Sequence, residues 1–200
     1  MHSDNTALLM IGYQNDYFAE DGILRGVIEQ SAKTTNALNN TLELLRSLEN
    51  TSIPIIHTPI IFTDDYSELV EPVGILAAIR DAKAFRLGSS GSDTIDQVKA
   101  FGSRVLEIPG KRGLNAFSNT HLESSLISMG IRNLVLAGAV TSICIDSTAR
   151  SAFELGFNVS ILSDCTCGRT DMEQEFFCSQ IFPLYAQVID SETFLQSLDL

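Results

Sequence analysis

Apolar residues along the chain alternate between short continuous runs and longer spaced stripes. ALLMI (residues 7–11) is apolar at every position, the pattern of a strand buried on both faces. Leu38, Leu42, Leu45 and Leu48 then recur at helical spacing and predict an amphipathic helix over about residues 30–49. SIPIIHT (52–58), RVLEI (104–108), NLVLAGA (133–139) and NVSIL (158–162) read as further strands, and QVID (187–190) as a sixth. A weak helical pattern covers about 72–83, and GSSGS (88–92) marks a loop. Thr120 and Glu123 match a capping box that opens a helix ending at Gly130. Another helix carries Ile145, Ala149 and Ala152 on one face and ends near Gly156, and residues 171–182 complete the helical set.

Strands separated by helices of about ten or more residues pair in parallel through crossovers. The expected fold is therefore α/β: a three-layer α/β/α sandwich around a Rossmann-like open parallel sheet of about six strands, in one domain over residues 1–200. Sites in such sheets form at the carboxyl ends of the strands. That directs attention to the segments after Ile11, Ile108 and Ala139.

Composition narrows the function classes. Apolar residues make up 44% of the chain, enough for a globular core. Thirteen basic residues face 25 acidic ones, a net charge of −12, which argues against binding nucleic acid or an anionic membrane. No apolar run approaches the roughly 18 residues of a spanning helix. The start, MHSDNTALLM, lacks the basic region and cleavage site of a signal peptide, so we expect a cytoplasmic protein. Cys144, Cys165, Cys167 and Cys178 all lie in the last third and read as reduced thiols rather than a disulfide framework. Cys165-x-Cys167 has no neighbouring ligands with zinc spacing, so a structural role is the better reading.

Each strand end offers chemistry. After Ala139, Thr141 or Ser142 can cap the next helix, which places Cys144 in or near its first turn. Backbone N–H groups and the helix dipole at such a turn favour a thiolate and can hold an oxyanion. After Ile108, Lys111 begins a loop where it can hold a thiolate or give a proton to a leaving group. After Ile11, Asn15 and Asp16 suit a turn, and Tyr17 and Phe18 can line a pocket. Taken singly, a buried cysteine, a solvated lysine and a plain strand-to-helix turn are the ordinary alternatives. A nucleotide-binding domain would need G-x-G-x-x-G after the first strand, where MIGYQNDYF supplies one glycine.

Together the three segments resemble the isochorismatase-like cysteine hydrolases, which include nicotinamidases, N-carbamoylsarcosine amidases and ureidoacrylate amidases. IGYQNDYF is similar to the family's D-x-Q-N-D-F, KRGLNAFSNTHL to K-x-x-x-S-A-F-x-x-T-x-L, and GAVTSIC to G-x-x-T-x-x-C with T-A-R after it. The resemblance implies an Asp–Lys–Cys triad, with Lys111 and Cys144 as the second and third members. The aspartate's position is Gly12, which has no side chain to move a proton. It also implies a cis peptide between Ala139 and Val140, an oxyanion hole from the backbone N–H groups of Val140 and Cys144, a pocket in which Phe18 and Phe117 are candidates, and a homo-oligomer, dimer or larger.

The expected activity is hydrolysis of a small carboxamide or carbamoyl compound through a Cys144 thioester, with no cofactor. Isochorismate cleavage is disfavoured, because relatives that perform it rely on the missing acid. Nicotinamidase-like members bind a metal through D-x-H…H, but His2, His57 and His121 do not form that pattern, so no metal is expected. Gly12 leaves three readings open: another carboxylate such as Asp16 substitutes, Cys144 and Lys111 act alone, or the chain is a non-catalytic module that binds a small molecule or a protein.

Overall fold

A computed structural model describes residues 2–199. In chain order it contains β1 (Thr6–Ile11), α1 (Asn15–Phe18), α2 (Arg25–Thr35), α3 (Ala37–Leu48), β2 (Ile55–Thr58), α4 (Gly74–Ala82), α5 (Asp96–Lys99) and β3 (Val105–Glu107). These are followed by α6 (Leu122–Ser128), β4 (Asn133–Ala139), α7 (Asp146–Glu154), β5 (Asn158–Cys167), α8 (Asp171–Phe176), β6 (Gln187–Ile189) and α9 (Ser191–Ser197). The strands form one parallel sheet in the order β3-β2-β1-β4-β5-β6. β1 and β4 are central, and the chain reverses direction of winding between them, so their carboxyl ends flank the crevice where ligands bind in such sheets.

The unbroken apolar run of β1 follows from this placement. Ala7, Leu9 and Ile11 enter one core layer with Ile28 of α2, Leu122 and Leu126 of α6, and Ala149 and Ala152 of α7. Leu8 and Met10 enter the other with Leu42, Leu45 and Leu48 of α3, Val98 of α5 and Phe194 of α9. Every one of the six β1 residues is fully buried. Burial of a side chain such as Leu9 contributes about 1.5–3 kcal/mol.

The two layers explain one correction. The expected single helix over 30–49 is two helices, α2 and α3, broken at Asn36. Asn36 adopts the left-handed conformation, φ 56°, which asparagine tolerates better than most residues. Its side chain accepts from Asn39 Nδ2 at 2.8 Å, which supports the break. A straight helix covers one face only, whereas α2 packs its Ile28 on one layer and α3 packs its leucines on the other.

Three further expectations change. The capping box at Thr120 does not form: Thr120 Oγ1 accepts from Leu122 N at 3.3 Å, and α6 begins one residue after His121 without a side-chain cap. β5 runs past Leu162 to Cys167, with a register jump opposite Leu136 and Gly138. The helical stretch at 171–182 is shorter as an α-helix, passing into a π-turn at Phe177–Ile181. Gly138 (φ 126°) is fixed by close approach, since a Cβ there would lie 1.9 Å from the Ile11 carbonyl oxygen.

Candidate active site

Lys111 and Cys144 meet at the crevice. Lys111 is completely buried, and its Nζ donates to Cys144 Sγ at 3.5 Å and to the carbonyl of Gly113. Cys144 is 3% exposed. Burial holds the Lys111 ammonium below its ordinary pKa, and the neighbouring Cys144 opposes that shift in part. A lysine whose pKa is lowered gives up its proton more readily, which suits it to exchange protons with the thiol beside it.

The backbone brings the pair together from two sides. Gln14, fully buried just past β1, donates through Nε2 to the carbonyls of Ile60 (2.8 Å) and Ser92 (2.7 Å), and its Oε1 accepts from Ile60 N (2.8 Å). Ile60 in turn bridges in parallel to Lys111. On the other side, Ala116 N donates to Thr148 Oγ1 of α7 at 3.0 Å, which ties the lysine segment to the helix after Cys144. Both links use buried polar groups that are fully paired, the arrangement that fixes a geometry rather than merely tolerating it.

Cys144 does not sit in the first turn of an ordinary helix. Thr141–Ile145 form a π-turn, and the α-helix begins at Asp146. Neither Thr141 nor Ser142 caps the helix. Thr141 donates instead to Gln174 Oε1 and Ser142 to Glu173 Oε1, both on α8. The peptide between Ala139 and Val140 is cis. Ile143 N and Ile145 N both donate to the Val140 carbonyl, at 3.0 and 3.2 Å, which sets the turn immediately after that peptide.

Gly12 directly follows β1 at φ 78°, where a Cβ would lie 3.0 Å from the Ala139 carbonyl oxygen and 3.4 Å from the Tyr17 ring. Asp16 does not take the vacated role. Its Oδ2 accepts from Phe85 N at 2.6 Å, and a Cβ at Gly91 would lie 2.0 Å from its Oδ1, so the carboxyl is enclosed by the 85–91 loop. That burial raises its pKa. Among the described residues, the side-chain partner of Lys111 Nζ is Cys144, and no carboxylate contributes to the Lys111 shift.

Of the two pocket candidates, Phe18 lines a cavity of about 220 Å³ with Tyr17 and Ile28. Phe18 stacks on Tyr13 at 5.1 Å between ring centroids, and Phe117 stacks on Phe157 at 6.1 Å. A surface cleft of about 570 Å³ is lined by Glu68, Gly110, Arg112, Gly113, Ser118 and Asn119, three of which flank Lys111 in sequence. Arg112 pairs with Glu68 across it at 3.2 Å. His57 lies inside β2 with Nδ1 3.3 Å from Thr94 Oγ1, and His121 precedes α6. No three His, Cys, Asp or Glu side chains gather as a metal set among the described residues, so the D-x-H…H arrangement has no fit here. Cys165 and Cys167 are fully buried within β5, where burial pushes the Cys167 thiol up to about 12 and the Cys165 thiol higher still.

Gln14, Thr148, Glu173 and Gln174 escape the sequence reading as parts of the site. Gln14 carries a signal, being the fixed glutamine of the first motif. Thr148 carries one too, as the threonine of the T-A-R after Cys144, whereas Glu173 and Gln174 gain meaning only from contacts distant in sequence.

An open parallel sheet with a lysine and a cysteine joined at its central crevice defines an α/β thiol-type site. A family profile described as the Isochorismatase domain matches residues 6–193, and the chain belongs to that family. It is 27% identical over 202 residues to YddQ, an isochorismatase family protein of Bacillus subtilis (strain 168), covering 96% of this chain and 99% of that one. It is 24% identical over 197 residues to Nicotinamidase 3 of Arabidopsis thaliana, covering 98% of this chain and 90% of that one. An isochorismatase-like hydrolase from Alkaliphilus metalliredigens shares the fold, with a TM-score of 0.77 at 24% identity over 96% of this chain and 98% of that one.

Proposed function

We propose that the chain hydrolyses a small carboxamide or carbamoyl compound with a two-residue Cys144–Lys111 dyad. The observation that carries this reading is the 3.5 Å contact between Lys111 Nζ and Cys144 Sγ in a buried setting that depresses the lysine. The neutral Lys111 amine takes the Cys144 proton, leaving an ammonium beside a thiolate. The thiolate sulfur attacks the substrate carbonyl carbon, and the resulting oxyanion rests on the backbone N–H groups of Val140 and Cys144. The C–N bond then breaks, and the departing nitrogen takes the proton from the Lys111 ammonium. Lys111, neutral again, accepts a proton from water as the water oxygen attacks the thioester. Cys144 leaves as thiolate, recovers that proton from Lys111, and the acid product departs.

Lysine thus performs every proton transfer of the cycle, work that an aspartate shares in the resembled triad. Removing a general acid–base group typically costs about 10²–10⁴-fold in rate, so we expect turnover slower than that of full-triad relatives. The cleft beside Gly110, Arg112 and Gly113 is the candidate approach, where the Glu68–Arg112 pair sets one polar point in a largely apolar lining. Gly12 also supports a second reading, a non-catalytic module that binds a small molecule. Incubating the chain with a panel of small carboxamides and carbamoyl compounds separates the two. Ammonia release together with an acyl adduct on Cys144 in intact-mass spectra, both absent in Cys144→Ala, is the expected result. Ligand binding with no ammonia and no adduct across the panel would establish the module instead.

A further inference from the structure

Two consecutive hydroxyls at the head of the Cys144 turn reach two consecutive acceptors on α8. Thr141 donates to Gln174 and Ser142 to Glu173. Gln174 is 7% exposed, and its Nε2 is anchored to β5 through the Ser163 carbonyl (3.0 Å) and Thr166 Oγ1 (3.0 Å). Glu173 is held by Arg169, whose Nε lies 2.6 Å from Oε2 and whose backbone N lies 3.2 Å from Oε1. At a usual helix start these hydroxyls would satisfy the turn's own N–H groups. Here they are spent outward, so the orientation of the turn is set from a different element.

We propose that Gln174, assisted by Glu173, is a positioning residue for Cys144: through Thr141 it fixes the π-turn so that Sγ meets Lys111 Nζ. Gln174 touches neither Lys111 nor the sulfur of Cys144, and acts only through the turn. The chain Gln14–Ile60–Lys111 fixes one member of the dyad, and the chain β5–Gln174–Thr141 fixes the other. This role rests on the dyad reading for its catalytic meaning, but the geometry it asserts can be tested without turnover.

The test is the pH profile of Cys144 alkylation by iodoacetamide, read by peptide mapping, in the native chain and in Thr141→Val, Thr141→Ser and Gln174→Ala. Losing one buried hydrogen bond should lower the rate about fivefold to tenfold at pH 6–7 in Thr141→Val and Gln174→Ala. The loss should fade by about pH 10, where a thiol ionises without help. Thr141→Ser should restore the native profile, and the double variant Thr141→Val/Gln174→Ala should be no slower than either single one. Native profiles in both single variants, with unchanged unfolding midpoints, would overturn the proposal. Should Thr141→Val fail to fold, Ser142→Ala tests the more exposed half of the clamp, with a smaller loss expected and an unchanged profile counting against it. If the native thiol itself labels like a free cysteine, the hydrolase reading falls, and hydrogen exchange of amides 140–146 decides the clamp alone. Faster exchange there in Thr141→Val supports it, and unchanged exchange refutes it.

Discussion

A Cβ placed on Gly12 would lie 3.0 Å from the carbonyl oxygen of Ala139, and the backbone at Gly12 has φ 78°. The missing acid is therefore more than an absent side chain, because the backbone has settled where only glycine is comfortable. Left-handed backbone costs an L residue roughly 1–2 kcal/mol, and the close carbonyl adds to that. We predict that Gly12→Asp lowers stability by about 1–3 kcal/mol and does not increase Cys144 reactivity. Urea unfolding and thiol labelling of the variant check both parts. A stable, more reactive variant would mean that the acid's place is still open.

Lys111 makes a stability prediction with a definite sign. Its pKa is depressed in the fold by burial. The unfolded chain therefore holds a proton over a pH range where the folded chain does not, and this residue's contribution to stability improves as pH rises toward the unfolded value of about 10.4. Replacing a buried cation by an apolar side chain of similar length is often neutral or stabilising. Lys111→Met should raise the free energy of urea unfolding at pH 6 by about 1 kcal/mol, with the gain narrowing by pH 10. It should also abolish turnover, so that one substitution improves the fold while removing the chemistry.

Gln14 offers the opposite case. Its amide makes three buried hydrogen bonds to the backbone of Ile60 and Ser92. Gln14→Leu would leave those groups unpaired, at about 1–3 kcal/mol for each buried group left unsatisfied. We expect a loss of several kcal/mol, together with slower Cys144 labelling as Lys111 loses its register with Ile60. Gln14→Glu, whose carboxylate keeps the acceptor for Ile60 N but sets an oxygen against the Ile60 and Ser92 carbonyls, should lose at least as much.

The other cysteines set the alkaline limit. Burial pushes Cys178 up to about 11 and Cys167 to about 12, from a model-compound value of 9.0. Below that value both states carry the proton, and above it the unfolded chain loses its protons first. Stability should fall from about pH 9 upward, through the folded values of these thiols, and the fully buried Tyr13 and Tyr17, also raised, should steepen the loss above pH 10. Cys167→Ala should flatten the slope of the unfolding midpoint against pH between 9 and 12.

Much of the frame was legible because a buried parallel strand needs apolar residues on both faces. The run 133–139 coincides with β4 end to end. β5 was read short because Ser163, Asp164 and Thr166 interrupt its apolar pattern, although Thr166 turns its hydroxyl back to the Leu162 carbonyl at 2.9 Å. α9 was missed despite its cap, Asp190 accepting from Thr193 N at 2.7 Å. Within the site, the positions of Lys111 and Cys144 followed from strand ends, which the apolar runs mark. The π-turn did not, because its shape depends on α8, some thirty residues further on. The sequence leaves Asp16 open as a substitute acid, because its contact with Phe85 N joins segments some seventy residues apart.

In the proposed dyad, Lys111 activates Cys144 with no carboxylate in attendance. The most direct measurement is the rate of Cys144 alkylation by iodoacetamide between pH 6 and 10, by peptide mapping, in the native chain and in Lys111→Met. We predict that the native thiol labels at pH 6–7 faster than a free cysteine, and that Lys111→Met loses at least about tenfold of that rate there. Equal rates in the two chains at pH 6–7 would contradict it.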